Sequence, residues 1–165
     1  IDEYSGLKYD SFEVIEDDLY GNWFNKFQMY DRFRDGENLY FDLDLVIYDK
    51  LPDLIRKDFT LLDDTWWRER AHTPLNSSIV SWTGDVSYIW DKFKKYDEYY
   101  IKTYTRGSDE WYWKYTEYKT YERVCPSIKD YMYYKPLSYS IITLGQMQHI
   151  MEKGWTGWYS DYFLR

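Results

Sequence analysis

Cysteine and long apolar runs are scarce in this 165-residue chain, and each scarcity excludes a class of protein. The single cysteine, Cys125, cannot form a disulfide within the chain and leaves no cysteine-based zinc cluster. No run of the sequence approaches the roughly 20 apolar residues of a membrane-spanning helix. No charged start followed by an apolar stretch indicates a signal peptide. We therefore expect a cytoplasmic protein without a membrane span.

Positively charged residues are also in deficit, with 21 Lys and Arg against 29 Asp and Glu and a formal net charge of -8. An acidic surface repels nucleic-acid phosphates and anionic lipid head groups, so we expect no nucleic-acid partner. A bound metal ion or a local group of basic residues can still offset phosphate charge. The charge balance is therefore compatible with a nucleotide ligand.

Aromatic residues are abundant at 23% of the chain, with 21 Tyr and 9 Trp. Tyr and Trp join an apolar face to a polar tip, which suits sugar-binding clefts and protein interfaces. A compositional habit of the source organism explains the excess equally well. The hydrophobic content of 44% is enough for one core, so we expect a single domain over residues 1–165.

The spacing of apolar residues predicts alternating helices and strands. Helical spacing covers residues 23–33 and 85–93, and residues 110–118 fit either element, of which we favour a helix. Alternation or short apolar runs predict strands at residues 11–15, 39–48, 59–62, 78–82 and 139–144. This order predicts an α/β fold, specifically a three-layer α/β/α sandwich with a mostly parallel sheet.

Two aspartates, Asp42 and Asp44, lie on one face of the predicted strand at 39–48. Residues two apart on a strand point the same way, which would hold the two carboxylates roughly 6 to 7 Å apart. Residues 39–47 contain no Lys or Arg, so burying this pair would cost several kcal/mol per ion. A Mg²⁺ or Mn²⁺ ion would offset that cost. The alternative is that both side chains lie at an exposed strand end.

Three segments in this order resemble a known family. They are Trp-Phe-Asn-Lys at 23–26, Leu-Tyr-Phe-Asp-Leu-Asp-Leu-Val-Ile at 39–47, and Asn-Ser-Ser-Ile-Val at 76–80. The series is similar to GT-A glycosyltransferases of bacteria and phages, which take a sugar from a nucleotide diphosphate. In that family a tryptophan-rich segment with a lysine precedes a strand that ends in the aspartate pair. The resemblance runs from about Leu19 to the carboxyl terminus.

The resemblance implies a metal site. Asp42 and Asp44 would bind Mn²⁺ or Mg²⁺ at the donor diphosphate and so assist departure of the nucleoside diphosphate. A family strand that commonly ends in a metal-binding His-Gly here ends in Leu144 and Gly145. His149, five residues on, would replace that histidine if the loop folds back, whereas a surface histidine without a role is the alternative.

The resemblance also implies a donor site. Lys26 would add positive charge near the phosphates, and Trp23 belongs to the same tryptophan-rich segment. Asn76 and Ser77 would hydrogen-bond the sugar. The alternatives are a solvated lysine on a helix and a turn formed by the Asn-Ser pair.

Three acidic residues are candidates for catalysis. Ser-Asp-Glu at 108–110 is similar to a Gly-Asp-Gln segment that approaches the transferred sugar in related enzymes. Glu110 and Asp109 would orient the sugar or act as a base. Asp64, with its neighbour Asp63, is a further candidate for acceptor binding or for a base, and the alternative is a solvated loop. A carboxylate that begins a helix is also favourable for electrostatic reasons alone.

The expected fold is a GT-A fold that is shortened at its amino terminus, because nothing before Asp10 supplies the family's strand-helix-strand unit. Three explanations are open: the sequence is a fragment, a partner chain supplies the unit, or the protein is a reduced relative that no longer turns over. An open sheet edge there would favour a homo-oligomer or a partner chain. The donor would be a nucleotide-diphospho-sugar and the acceptor a saccharide, lipid or protein. If a phage encodes the protein, it would act in the host cytoplasm.

Two other functions compete with the enzyme. A non-catalytic binding or assembly protein would keep the sheet and the aromatic surface without donor chemistry. A carbohydrate-binding module would instead stack sugars on Trp66, Trp67, Trp111 and Trp113.

Overall fold

The computed structural model describes residues 20, 23–42, 45–47, 54–63, 73–121, 128–130 and 141–143. A 3-10 helix at Trp23–Phe27 leads into α1 (Gln28–Arg32), followed by α2 (Tyr88–Lys94), α3 (Asp97–Thr103) and α4 (Asp109–Tyr115). The strands are β1 (Glu37–Phe41), β2 (Leu45–Ile47), β3 (Thr60–Asp63), β4 (Leu75–Thr83), β5 (Lys119–Thr120), β6 (Ile128–Asp130) and β7 (Ile141–Thr143). Within these ranges, no helix has the length and apolar character that crossing a membrane requires.

The strands form two sheets, one with the order β1-β4-β3-β5 and one with the order β2-β7-β6. β4 runs antiparallel to both β1 and β3, and β2 is antiparallel to β7, whereas β3–β5 and β6–β7 are parallel. The α/β class is confirmed, but the described strands do not form the mostly parallel sheet that we predicted. Residues 64–74, which join β3 to β4, are fewer than the dozen or more that a parallel crossover needs. The three-layer arrangement stays a prediction.

Most of the predicted elements are present with shifted ends. The helices predicted at 23–33, 85–93 and 110–118 correspond to the 3-10 helix with α1, to α2 and to α4. The strands predicted at 59–62, 78–82 and 139–144 correspond to β3, β4 and β7, and the strand predicted at 39–48 is divided into β1 and β2. The strand predicted at 11–15 lies outside the described residues.

An aromatic core joins the 3-10 helix and α1 to α2 and α4. Phe27 is at its centre, with ring centroids 4.7 Å from Phe93, 4.9 Å from Trp111 and 4.8 Å from Tyr112. All four rings are fully buried. Aromatic pairs contribute roughly 0.5 to 1.5 kcal/mol beyond the area that they bury. The core therefore fixes the segment that carries Lys26 against the helix that begins at Asp109.

A buried tyrosine pair adds a polar link between α1 and α4. The hydroxyl oxygens of Tyr30 and Tyr112 lie 2.8 Å apart, and neither side chain is exposed to solvent. Burial raises the pKa of both phenols, because the phenolate would lose its hydration. Both hydroxyls therefore stay protonated and hydrogen-bonded at neutral pH.

Candidate functional site

Four of the predicted site residues lie together at one end of the β1–β4 pair. Lys26 comes from the 3-10 helix, Asp42 follows β1, Ser77 lies on β4 and Asp109 begins α4. The ladder continues past β1, because the Asp42 N–H donates to the Ser78 carbonyl at 2.8 Å. This backbone contact brings Asp42 next to Ser77. With Tyr40, these four residues are called the Lys26 cluster below.

Lys26 is the cation of the cluster. Its ammonium group donates to Ser77 Oγ at 2.7 Å, to the Ser77 carbonyl at 3.2 Å and to Asp42 Oδ1 at 3.4 Å. The Lys26 side chain is only 11% exposed and that of Asp42 is 28% exposed. Our inference that Asp42 has no basic partner is therefore wrong, because tertiary packing supplies one from another segment.

Tyr40 is a member of the cluster that the sequence analysis missed. Its hydroxyl donates to Asp42 Oδ1 at 2.5 Å. The Lys26 ammonium also lies 5.5 Å from the centre of the Tyr40 ring, within the range of a cation–π contact. The signal was present in the sequence, because Tyr40 and Asp42 are two apart on a strand and share a face. Asp42 Oδ1 thus has two donors, whereas no described residue donates to Oδ2.

Ser77 links the cation to the second carboxylate of the cluster. Its hydroxyl accepts from Lys26 and donates to Asp109 Oδ1 in a short contact. The Ser77 N–H donates to the same oxygen at 2.9 Å. Ser77 and the neighbouring Ser108 are both 2% exposed. These contacts tie β4 to the start of α4 and fix one oxygen of Asp109.

Trp23 lies on the same face of the 3-10 helix as Lys26, because side chains three apart eclipse in that helix. Its indole is 59% exposed. The Trp23 side chain borders the turn before α4. Its Cδ2 atom would lie 3.9 Å from a Cβ atom added to Gly107, which belongs to that turn. Gly107 has φ +122°, a backbone conformation that favours glycine. An exposed aromatic surface therefore adjoins the cluster.

Two predicted site residues make local contacts instead. Asn76 Oδ1 accepts from the Ser78 N–H at 2.9 Å, and because Asn76 and Ser77 lie on β4, the turn that we gave as an alternative is not formed. Glu110 Oε1 accepts from the ammonium of Lys114 at 2.7 Å, one helical turn further along α4. Neither contact joins these residues to the Lys26 cluster.

Trp111 is unsuitable as the sugar-stacking platform that the binding-module hypothesis needs, because it is fully buried. Trp113 is 44% exposed and could still serve. Trp66 and Trp67 lie outside the described residues.

A metal ion fits the described part of the site through one carboxylate. Asp42 is the only predicted ligand that the structure describes, because Asp44 and His149, like the catalytic candidate Asp64, fall outside it. No group of three or more His, Cys, Asp or Glu side chains that could hold a metal occurs among the described residues. Mg²⁺ uses one or two carboxylates and completes its shell with water and substrate phosphates. Oδ2 of Asp42 is suited to this role.

Comparisons with protein-family models, with curated proteins and with solved structures find no match for this chain. The similarity to GT-A glycosyltransferases therefore stays an interpretation of the sequence. Function has to be inferred from the chemistry of the Lys26 cluster.

Proposed function

We propose that this protein is a metal-dependent glycosyltransferase that moves a sugar from a nucleotide-diphosphate donor to an acceptor, on a three-layer GT-A-like fold. One observation carries the proposal. Lys26, Asp42, Ser77 and Asp109 belong to four separate segments for which we predicted donor or catalytic roles, and they lie in one hydrogen-bonded cluster.

The cluster contains the groups that a diphosphate requires. Lys26 supplies a positive charge that is held in place by Ser77, and Asp42 supplies a second carboxylate oxygen, Oδ2, to which no described residue donates. Asp44 and His149 would complete the metal site with Asp42. A bound Mn²⁺ or Mg²⁺ would supply Lewis-acid stabilisation of the departing nucleoside diphosphate.

The remaining groups would orient the donor sugar and nucleoside. Asp109 has one oxygen fixed by Ser77, which leaves its other oxygen to accept a sugar hydroxyl. The exposed indole of Trp23 offers a face on which a base or sugar ring could stack. Asn76 would hydrogen-bond the sugar, and Glu110 and Asp64 stay the candidates for a base.

One observation favours the non-catalytic alternative. Lys26 already pairs with Asp42 within the protein, so this carboxylate has a counter-ion without any ligand. A binding or assembly protein could keep such a network for stability alone. The glycosyltransferase should bind a nucleotide, whereas the non-catalytic protein should not.

Calorimetric titration with UDP and with GDP, each with and without Mn²⁺, tests the proposal. The protein variants are wild type, Asp42→Asn and Asp58→Asn, whose carboxylate lies on an exposed residue outside the cluster. We expect binding of at least one nucleotide that needs the metal, is lost in Asp42→Asn and is unchanged in Asp58→Asn. Absence of binding by wild type would favour the non-catalytic function.

A further inference from the structure

Lys26 and the metal would have to share one carboxylate. The ammonium already contacts Asp42, and Asp42 is the only predicted metal ligand that the structure describes. We propose that Lys26 is the resident counter-ion of Asp42, that it opposes binding of a metal alone, and that a diphosphate draws it away when donor and metal bind together. The part of this inference in which a diphosphate draws Lys26 away from Asp42 rests on the proposed function.

The distances show which of the Lys26 contacts would be released. The ammonium lies 2.7 Å from Ser77 Oγ and 3.2 Å from the Ser77 carbonyl, but 3.4 Å from Asp42 Oδ1. The contact with Asp42 is the longest of the three. Because a lysine side chain is a flexible stem with a compact charge, the ammonium can leave Asp42 while Ser77 still holds it.

Burial makes two cations on this carboxylate unfavourable. With only 11% of Lys26 and 28% of Asp42 exposed, solvent and salt screen their charges less than at an open surface. A divalent ion on Asp42 Oδ2 would lie close to the ammonium on Oδ1, and the like charges would repel each other. A diphosphate would relieve that repulsion, because its oxygens accept from Lys26 and also bind the metal.

The inference predicts a positive coupling between metal and diphosphate that depends on the charge of Lys26. Lys26→Gln and Lys26→Met remove the charge, and Lys26→Met also keeps an apolar stem of similar length. Lys102→Gln is the matched control, because it removes a lysine from an exposed ion pair with Glu98, which has no role in the proposed site. Mn²⁺ binding is measured by calorimetry in the absence of nucleotide, and UDP or GDP binding is then measured at saturating Mn²⁺.

We expect both Lys26 variants to bind Mn²⁺ alone at least about fivefold more tightly than wild type, a typical size for coupling between sites. Lys102→Gln should match wild type. Unchanged or weaker Mn²⁺ binding in folded Lys26 variants would overturn the inference, and it would leave the proposed function intact if wild type still binds nucleotide with metal. Tighter Mn²⁺ binding without any nucleotide binding would support the counter-ion role and contradict the proposed function.

A measurement on unaltered protein covers the case in which the Lys26 variants do not fold. The NMR resonance of the Lys26 Cε methylene should shift when inorganic pyrophosphate and Mg²⁺ are added together. It should shift much less with Mg²⁺ alone, because the ammonium then stays on Asp42. Equal shifts under both conditions, or none under either, would contradict the movement of Lys26.

Discussion

The buried pair of Tyr30 and Tyr112 gives a quantitative test of how α1 and α4 are joined. The hydroxyl oxygens lie 2.8 Å apart, and neither has another hydrogen-bond partner among the described residues. Replacing one tyrosine with Phe leaves the other hydroxyl buried and unpaired, which costs about 1 to 3 kcal/mol. Replacing both removes both polar groups, so Tyr30→Phe combined with Tyr112→Phe should be nearly neutral.

Urea unfolding followed by tryptophan fluorescence measures the free energy of unfolding of the four proteins in this cycle. We expect the stability loss of the double variant to be smaller than the added losses of the two single variants, by at least about 1 kcal/mol. Tyr99→Phe, at an exposed tyrosine on α3, is the control and should change stability by less than about 0.5 kcal/mol. Neutral single variants, or a double variant that costs the sum of the two, would refute the hydrogen bond between α1 and α4.

Two further predictions concern alkaline pH and backbone conformation. Burial raises the pKa of Tyr30 and Tyr112 in the folded protein, so unfolding above about pH 10 releases their protons. The free energy of unfolding that these two groups contribute is therefore retained below that pH and falls as the pH rises. In urea unfolding from pH 8 to 11, the double Phe variant should lose less stability than wild type, and equal losses would contradict the assignment. Gly107→Asn should cost about 1 to 3 kcal/mol, because φ +122° is a region that almost only glycine adopts. Gly36→Asn, at φ +71° where asparagine is tolerated, should cost less in thermal unfolding, and the reverse order would contradict the argument.

Periodicity predicted element types well, because it reports which face of a helix or strand is buried. It did not predict strand partners. The alternation over residues 39–48 is continuous, yet β1 pairs with β4 in one sheet and β2 pairs with β7 in the other. The partner of a strand depends on the rest of the chain, and a local pattern contains no information about it.

Helix α3 was missed although its sequence contained a signal. Tyr96, Tyr99, Tyr100 and Tyr104 have helical spacing, and Tyr100 and Tyr104 are buried. We interpreted the tyrosine excess through sugar-binding clefts, interfaces or composition, whereas five of the twelve tyrosines that the structure describes are buried in the core. An aromatic-rich core uses tyrosine where other proteins use aliphatic residues.

Four of the five residues of the Lys26 cluster were among the predicted site residues, but their pairing was not predicted. Lys26 and Asp42 are 16 residues apart, and only the packing of the 3-10 helix against the β1–β4 pair brings them into contact. The sequence argument treated Asp42 as an uncompensated charge and Lys26 as a separate phosphate ligand. Their contact links the two roles, which no local spacing could reveal.

The most direct test of the central claim is a crystal structure of the protein grown with Mn²⁺ and UDP or GDP, with data collected at the manganese absorption edge. We predict an anomalous peak in direct contact with the Asp42 carboxylate and with the diphosphate. The Lys26 ammonium should lie on a phosphate oxygen. No peak at Asp42, or a nucleotide bound away from the Lys26 cluster, would contradict the proposal that these residues form a metal-dependent sugar-nucleotide site.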